Sequence, residues 1–169
     1  MKRIAITVLC LLLTATLLAG CVFSAEPFAA EKQEFSSSGM SITLTKGFKE
    51  TSQQGYTVCF DSSRAAVFAL KEEFTLAEGL GDLTLEEYCD LVFQSNADKS
   101  PEHGDDINGN PTMIYQFYNE DTKVEYHYLA VMYKASDAFW LVQFACDVEH
   151  AEEYEPYFIE AAKTVTFAA

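Results

Sequence analysis

The sequence predicts an α+β domain, a three-layer α/β/α sandwich built on an antiparallel sheet of about six strands. Three observations carry that reading. Three long strand-like runs, Thr112–Asn119, Lys123–Lys134 and Ala138–Asp147, are joined by connections short enough only for antiparallel hairpins. Both parities of these runs are apolar, with Tyr126, Tyr128, Ala130 and Met132 alternating with Leu129, Val131 and Tyr133, so both faces of the sheet need covering. Two amphipathic helical segments, one after Thr84 and one after His150, supply the two covers.

Taken in order, the chain opens on Lys2 and Arg3, followed by the uncharged run Ile4–Leu18 and small residues before Cys21. The run is shorter than the roughly 20 residues of a membrane span, and the pattern is that of a cleaved signal peptide over residues 1–20. Residues 21–33, rich in Ala and Glu with Pro27, read as a flexible tether, and a single domain is expected over 34–169. Met40–Thr45 alternates strictly and reads as a strand. Tyr56–Phe60 and Ala65–Phe74 read as two more, the latter ending in a loop with Gly79 and Gly81.

Thr84 and Glu87 have the spacing of a capping box, which opens a helix to Ser95 with Leu85, Tyr88, Cys89, Val92 and Asn96 on one stripe. A polar loop, Ala97–Gly109, leads into the meander. The last helix, Ala151–Lys163, aligns Tyr154, Tyr157, Phe158, Ala161 and Ala162 on one face. Proline is disfavoured inside a helix, so Pro156 is expected to mark the first true turn, after a looser Ala151–Glu155 segment. Thr164–Phe167 is expected to close as a short edge strand.

The chain carries a formal net charge of −15, which becomes −17 once Lys2 and Arg3 leave with a leader that has no acids. Such a surface repels nucleic acid and anionic lipid headgroups. Cys59, Cys89 and Cys146 remain besides Cys10 and Cys21; each sits in an apolar setting, no two form a CxxC pair, and three buried thiols are expected rather than a disulfide framework or a zinc site.

No catalytic signature is present. His103, His127 and His150 are the histidines, and no serine or cysteine sits at a nucleophile elbow. His127 reads as a partly buried strand residue and His150 as a capping or loop residue. No Gly-rich phosphate loop occurs, so no cofactor is expected. The segment Glu102–Asn110 gathers oxygen ligands, and Asp106, Asn108 and Asn110 alternate as in a calcium loop, but Pro111 stands where a glycine is required and no bidentate Glu closes the loop. The pairs Glu72–Glu73, Glu86–Glu87 and Glu152–Glu153 are adjacent residues that face apart, which makes no acid/base dyad. Tyr115, Tyr126 and Tyr128 either join the core or line a groove for a ligand.

Two resemblances add to this. Leu18-Ala19-Gly20-Cys21 resembles the bacterial lipobox, which implies acylation of Cys21, cleavage before it, and anchoring on the outer face of a plasma membrane, or on an outer membrane where the cell has two. Val22 follows the cysteine, so the Asp of the familiar inner-membrane retention signal is missing. The opening Phe35–Phe48 segment with its Lys46-Gly47-Phe48 step, the Thr84 helix, the Ile107-Asn108-Gly109 entry to the meander and the terminal Tyr154–Phe158 helix together resemble the PsbP-like superfamily, which includes DcrB-like lipoproteins. Thr45 departs from the proline often found there. That resemblance implies a non-enzymatic binding or assembly module with an envelope protein as partner; the alternative is a solute- or metal-binding lipoprotein using the acidic loop or an aromatic pocket.

Overall fold

The computed structural model describes residues 31–168. The elements run β1 Lys32–Ser37, β2 Met40–Thr45, β3 Lys49–Thr51, β4 Val58–Asp61, β5 Ala65–Glu73, α1 Leu85–Ser95, β6 Glu102–His103, β7 Thr112–Asn119, β8 Val124–Lys134, β9 Ala138–Asp147, α2 Ala151–Ala162 and β10 Thr166–Phe167. The main sheet has seven strands in the order β3-β4-β5-β9-β8-β7-β6, and β1-β2-β10 form a separate three-stranded sheet. Every strand pair is antiparallel.

The expected meander is present, with β8 beginning one residue late. The Asn119 side-chain oxygen accepts from the Asp121 and Thr122 amides, which tightens the turn and leaves Lys123 at φ 59 outside the ladder. The register pairs His127 with Cys146 and Gln116, and Leu129 with Phe144 and Ile114. It therefore sorts the strands into two faces. One carries Phe60, Val67, Leu129, Val131, Trp140, Val142 and Phe144, and is covered by α2 and by Met40, Ile42 and Leu44 of the small sheet. The other carries Phe68, Met113, Tyr115, Tyr128, Met132 and Phe139, and is covered by Tyr88, Cys89 and Val92 of α1. This is the three-layer sandwich that two apolar faces require.

The capping box forms as expected: Thr84 Oγ1 accepts from the Glu87 amide at 3.2 Å, and the Glu87 carboxylate accepts from the Thr84 amide at 2.8 Å. Tyr88 then stacks on Phe139 with ring centroids 4.2 Å apart, which fixes α1 on the sheet.

Three expectations need correction. The chain forms β1 from Lys32, inside the segment read as tether and ahead of the expected start at Glu34. β1 is almost wholly exposed at a sheet edge, so no apolar alternation announces it. The strands number seven and three rather than about six, because β3 and β6 are three- and two-residue edges without patterning of their own. The closing edge strand forms as expected, at Thr166–Phe167 beside β2 in the small sheet. Finally, α2 runs unbroken from Ala151 with Pro156 exposed inside it. Burial of Tyr154, Tyr157, Phe158, Ala161 and Ala162 outweighs a local proline cost of about 3 kcal/mol.

Candidate functional site

A cleft of about 270 Å³ opens where α2 crosses the β6–β7–β8 end of the sheet. Its apolar lining is Ile107, Ile114, Leu129 and Ile159, and its polar lining includes His103, Asp105, Thr112 and Glu155. Ile114 and Leu129 are register partners on neighbouring strands, and Glu155 and Ile159 are one turn apart on α2, so each wall is held by regular structure.

The remaining wall is the Gly104–Ile107 segment, and it is pinned. The Gly104 amide donates to the Thr112 carbonyl at 3.4 Å, and Thr112 Oγ1 donates to the Asp105 carbonyl at 3.1 Å. A Cβ on Gly104 would stand 2.5 Å from Thr112 Oγ1 and 3.0 Å from Ile114 Cδ1, so only glycine permits this approach. Ile107 and Asn110 exchange backbone hydrogen bonds around Asn108 (φ 54) and Gly109 (φ 78), a type I′ Asn-Gly turn. Asn110 Nδ2 also donates to the Ile107 carbonyl at 3.1 Å. The segment Glu102–Asn110 is thus a short strand and a hairpin turn rather than a calcium loop: Asn110 spends its side chain on the turn, and Asp105, not Asp106, reaches the cleft.

His127 is not part of the cleft lining but faces Glu155 of the α2 wall. It projects from β8 toward α2, is 5% exposed, and its Nε2 has no hydrogen-bond partner. Glu155 Oε2 is 3.6 Å away, beyond hydrogen-bond length. Burial pushes the imidazole pKa below its ordinary 6.5, and the Glu155 charge only partly opposes this, so the ring is neutral at pH 7 and the contact is not an ion pair there. Cys146, the cross-strand neighbour, is 1% exposed and pushed up to about 12 by burial first and by Asp147, Glu153 and Glu155 after it. It is a protonated thiol at neutral pH, which deprives this Cys–His–Glu grouping of a nucleophile.

The other expected residues fall as follows. Cys59, Cys89 and Cys146 are buried free thiols, as the apolar settings implied, and burial pushes Cys89 up to about 11. Tyr115, Tyr126 and Tyr128 belong to the core: Tyr115 stacks on Tyr128 at 4.7 Å and donates to Gln143 Oε1 at 2.6 Å. Glu72 accepts from the Tyr88 hydroxyl at 2.5 Å and Glu87 is committed to the capping box. His103 stacks on Phe93 at 3.9 Å, and His150 Nε2 is 3.4 Å from the Arg64 guanidinium. Among the described residues no group of three His, Cys, Asp or Glu side chains is placed to share a metal ion, and no helix is long and apolar enough to cross a membrane. Cys21 lies outside the described residues. The pairing of Glu155 with His127 had no sequence signal, since the two are brought together only by the crossing of α2 over β8.

The antiparallel seven-stranded sheet, the helix on each face and the terminal α2–β10 step define a PsbP-like fold. The cyanobacterial PsbP protein CyanoP from Synechocystis sp. PCC 6803 superimposes with a TM-score of 0.55 over 89% of this chain and 98% of its own, at 13% identity. A protein from Bacteroides thetaiotaomicron gives a TM-score of 0.50 over 83% of this chain at 11% identity, and this chain spans only 49% of its length. At these identities the likeness is one of fold. By sequence the chain matches no family model and no curated protein.

Proposed function

We propose that the protein is a lipid-anchored, extracytoplasmic binding module that works by contact and not by catalysis. The cleft carries the binding half of this reading. It combines the aliphatic residues Ile107, Ile114, Leu129 and Ile159 with the polar residues His103, Asp105, Thr112 and Glu155, on a wall preorganised by Gly104 and Thr112. Few oriented polar groups on an apolar concavity are the usual make-up of a ligand site. The anchoring half rests on the basic start, the short apolar run and Leu18-Ala19-Gly20-Cys21. An envelope protein remains the expected partner of the exposed acidic surface, with no role for nucleic acid at this net charge.

Replacement of Cys21 by serine tests the anchor. The variant should leave the membrane fraction or accumulate as uncut precursor, and an unchanged membrane fraction would overturn the anchor. Crosslinking in intact cells followed by mass spectrometry tests contact with a partner. Recovery of the protein alone would count against assembly.

A further inference from the structure

We propose that Ala151–Glu155, the first turn of α2, is an acid-released flap: protonation of His127 and His150 frees it from the sheet about a hinge at Pro156 and lifts the Glu155 wall from the cleft. Three observations meet on this turn. His150, the first, immediately precedes it, and its Nε2 is 3.4 Å from Arg64 Nη1 in the β4–β5 turn. A guanidinium only donates, so Nε2 accepts and the ring proton sits on Nδ1. That Nδ1 is buried and has no hydrogen-bond partner. A second proton removes the lone pair that receives Arg64 and sets two cations 3.4 Å apart.

His127 is the second. It is 5% exposed, and its Nε2 also lacks a partner. An imidazolium there needs an acceptor for that N–H, and Glu155 Oε2, at the far end of the same turn, is 3.6 Å off. Glu155 favours the charged ring, but burial opposes it more strongly, so the proton is gained when the turn lifts and water reaches the ring. Pro156 is the third. It has no amide to give the Glu152 carbonyl, which leaves the turn tied to the rest of α2 by one hydrogen bond fewer. Beyond the proline, Tyr157, Phe158, Ala161 and Ala162 are all buried; within the turn only Tyr154 is. The boundary between the lightly held and firmly held parts of the helix therefore falls at Pro156.

The other groups around the two rings leave the direction unchanged. Cys146 faces His127 from β9 as a protonated thiol, and Gln116 faces it from β7 without charge. The Tyr154 ring meets His150 edge-on at 6.5 Å, and burial holds its hydroxyl protonated. The remaining nearby carboxylates, Glu125 on β8, Asp147 on β9, and Glu149 and Glu153 on either side of His150 in the chain, are exposed or partly so, and water screens them. The flap needs no ligand, so it stands or falls apart from the reading of the cleft as a binding site.

Hydrogen exchange of the full chain in detergent, each rate divided by the intrinsic rate at that pH, reads the flap through the Tyr154 and Glu155 amides, donors of the first helical turn. Their protection should fall at least tenfold from pH 8 to pH 5.5, within the ceiling of about tenfold per pH unit for each proton taken up, while Ala161 and Ala162 keep theirs. Hydroxyl-radical footprinting over the same range should raise oxidation of Tyr154 and leave Tyr128, buried on the opposite sheet face, unchanged. His127→Leu and His150→Gln should each remove part of the fall, and the double variant nearly all of it; His127→Gln takes the place of the leucine change if that variant does not fold. Pro156→Ala, which restores the missing tie, should shrink the fall at least threefold. The proposal is overturned if protection of the turn does not change with pH, if it falls equally through all of α2 and the sheet, if it rises because Glu155 clamps the imidazolium, or if the double variant keeps the full fall.

Discussion

Replacing His127 by leucine should stabilise the protein, which is the reverse of the usual effect of a core substitution. The histidine is 5% exposed, its Nε2 has no hydrogen-bond partner, and Glu155 Oε2 is 3.6 Å away. An unsatisfied buried polar atom costs about 1–3 kcal/mol. Leucine is close in size, has no polar atom to orphan, and lands beside Leu129 and Cys146. The lost long contact to Glu155 offsets part of the gain, so the net expectation is a rise of about 1 kcal/mol at pH 8.

The same substitution should change the pH profile. The folded ring has a pKa below its ordinary 6.5, so on acidification the unfolded chain takes up the proton first. Stability from this group is complete above the unfolded value, and is lost as pH falls through 6.5 toward the folded value, by at most about 1.4 kcal/mol per pH unit for one proton. The carboxyls held low by Lys71 and Lys163, those of Asp137 and Glu160, titrate at still lower pH and stay out of this window. Urea denaturation at intervals from pH 8 to pH 5 measures both effects. A leucine variant that is less stable than wild type at pH 8, or one with a parallel pH profile, would refute the reasoning.

Three further outcomes follow from the fold. Thr84→Ala removes the acceptor for the Glu87 amide and should lower stability by about 1 kcal/mol, read as a lower Tm with an unchanged circular dichroism spectrum. Pro156→Ala restores an amide inside α2 and removes the ring clash, at some cost from a freer unfolded chain, and should stabilise by about 1–2 kcal/mol in the same urea titration. A thiol reagent at pH 8 should label none of Cys59, Cys89 and Cys146 in the native protein and all three in denaturant, because each is buried and held protonated. Labelling of a fourth thiol in the denatured mature chain would mean that Cys21 carries no lipid.

The sequence was most legible where burial and periodicity agree. The meander could be read from its two apolar parities and α1 from the Thr84–Glu87 spacing, and both stand within a residue of expectation. It was least legible at edges. The Lys32–Ser37 strand shows solvent most of its surface, so its only signal is its partner, Met40–Thr45, and pairing is not written in composition. The cleft was hidden for a related reason. Asp105 was visible inside an acidic segment, but its selection over Asp106 depends on how Gly104 folds against Thr112, and Glu155 looked like one acid among several on α2. Tyr115 and Tyr128 show the converse, since tyrosines on alternate strand positions fit a groove and a core equally well until the neighbouring Gln143 is known to accept the Tyr115 hydroxyl.

The strand order β3-β4-β5-β9-β8-β7-β6 also has a kinetic meaning. It consists of two local zigzags, one counted up and one counted down, sewn together along a single seam of nine residue pairs from Ala65–Cys146 to Glu73–Ala138. Each zigzag can assemble from neighbours in the chain, but the seam must close a loop that contains all of α1 and the β6–β7–β8 half. Distant closure is the slow event in folding. Mutations along that seam, at Val67 or Phe144 for example, should slow folding more than equally costly changes inside either half.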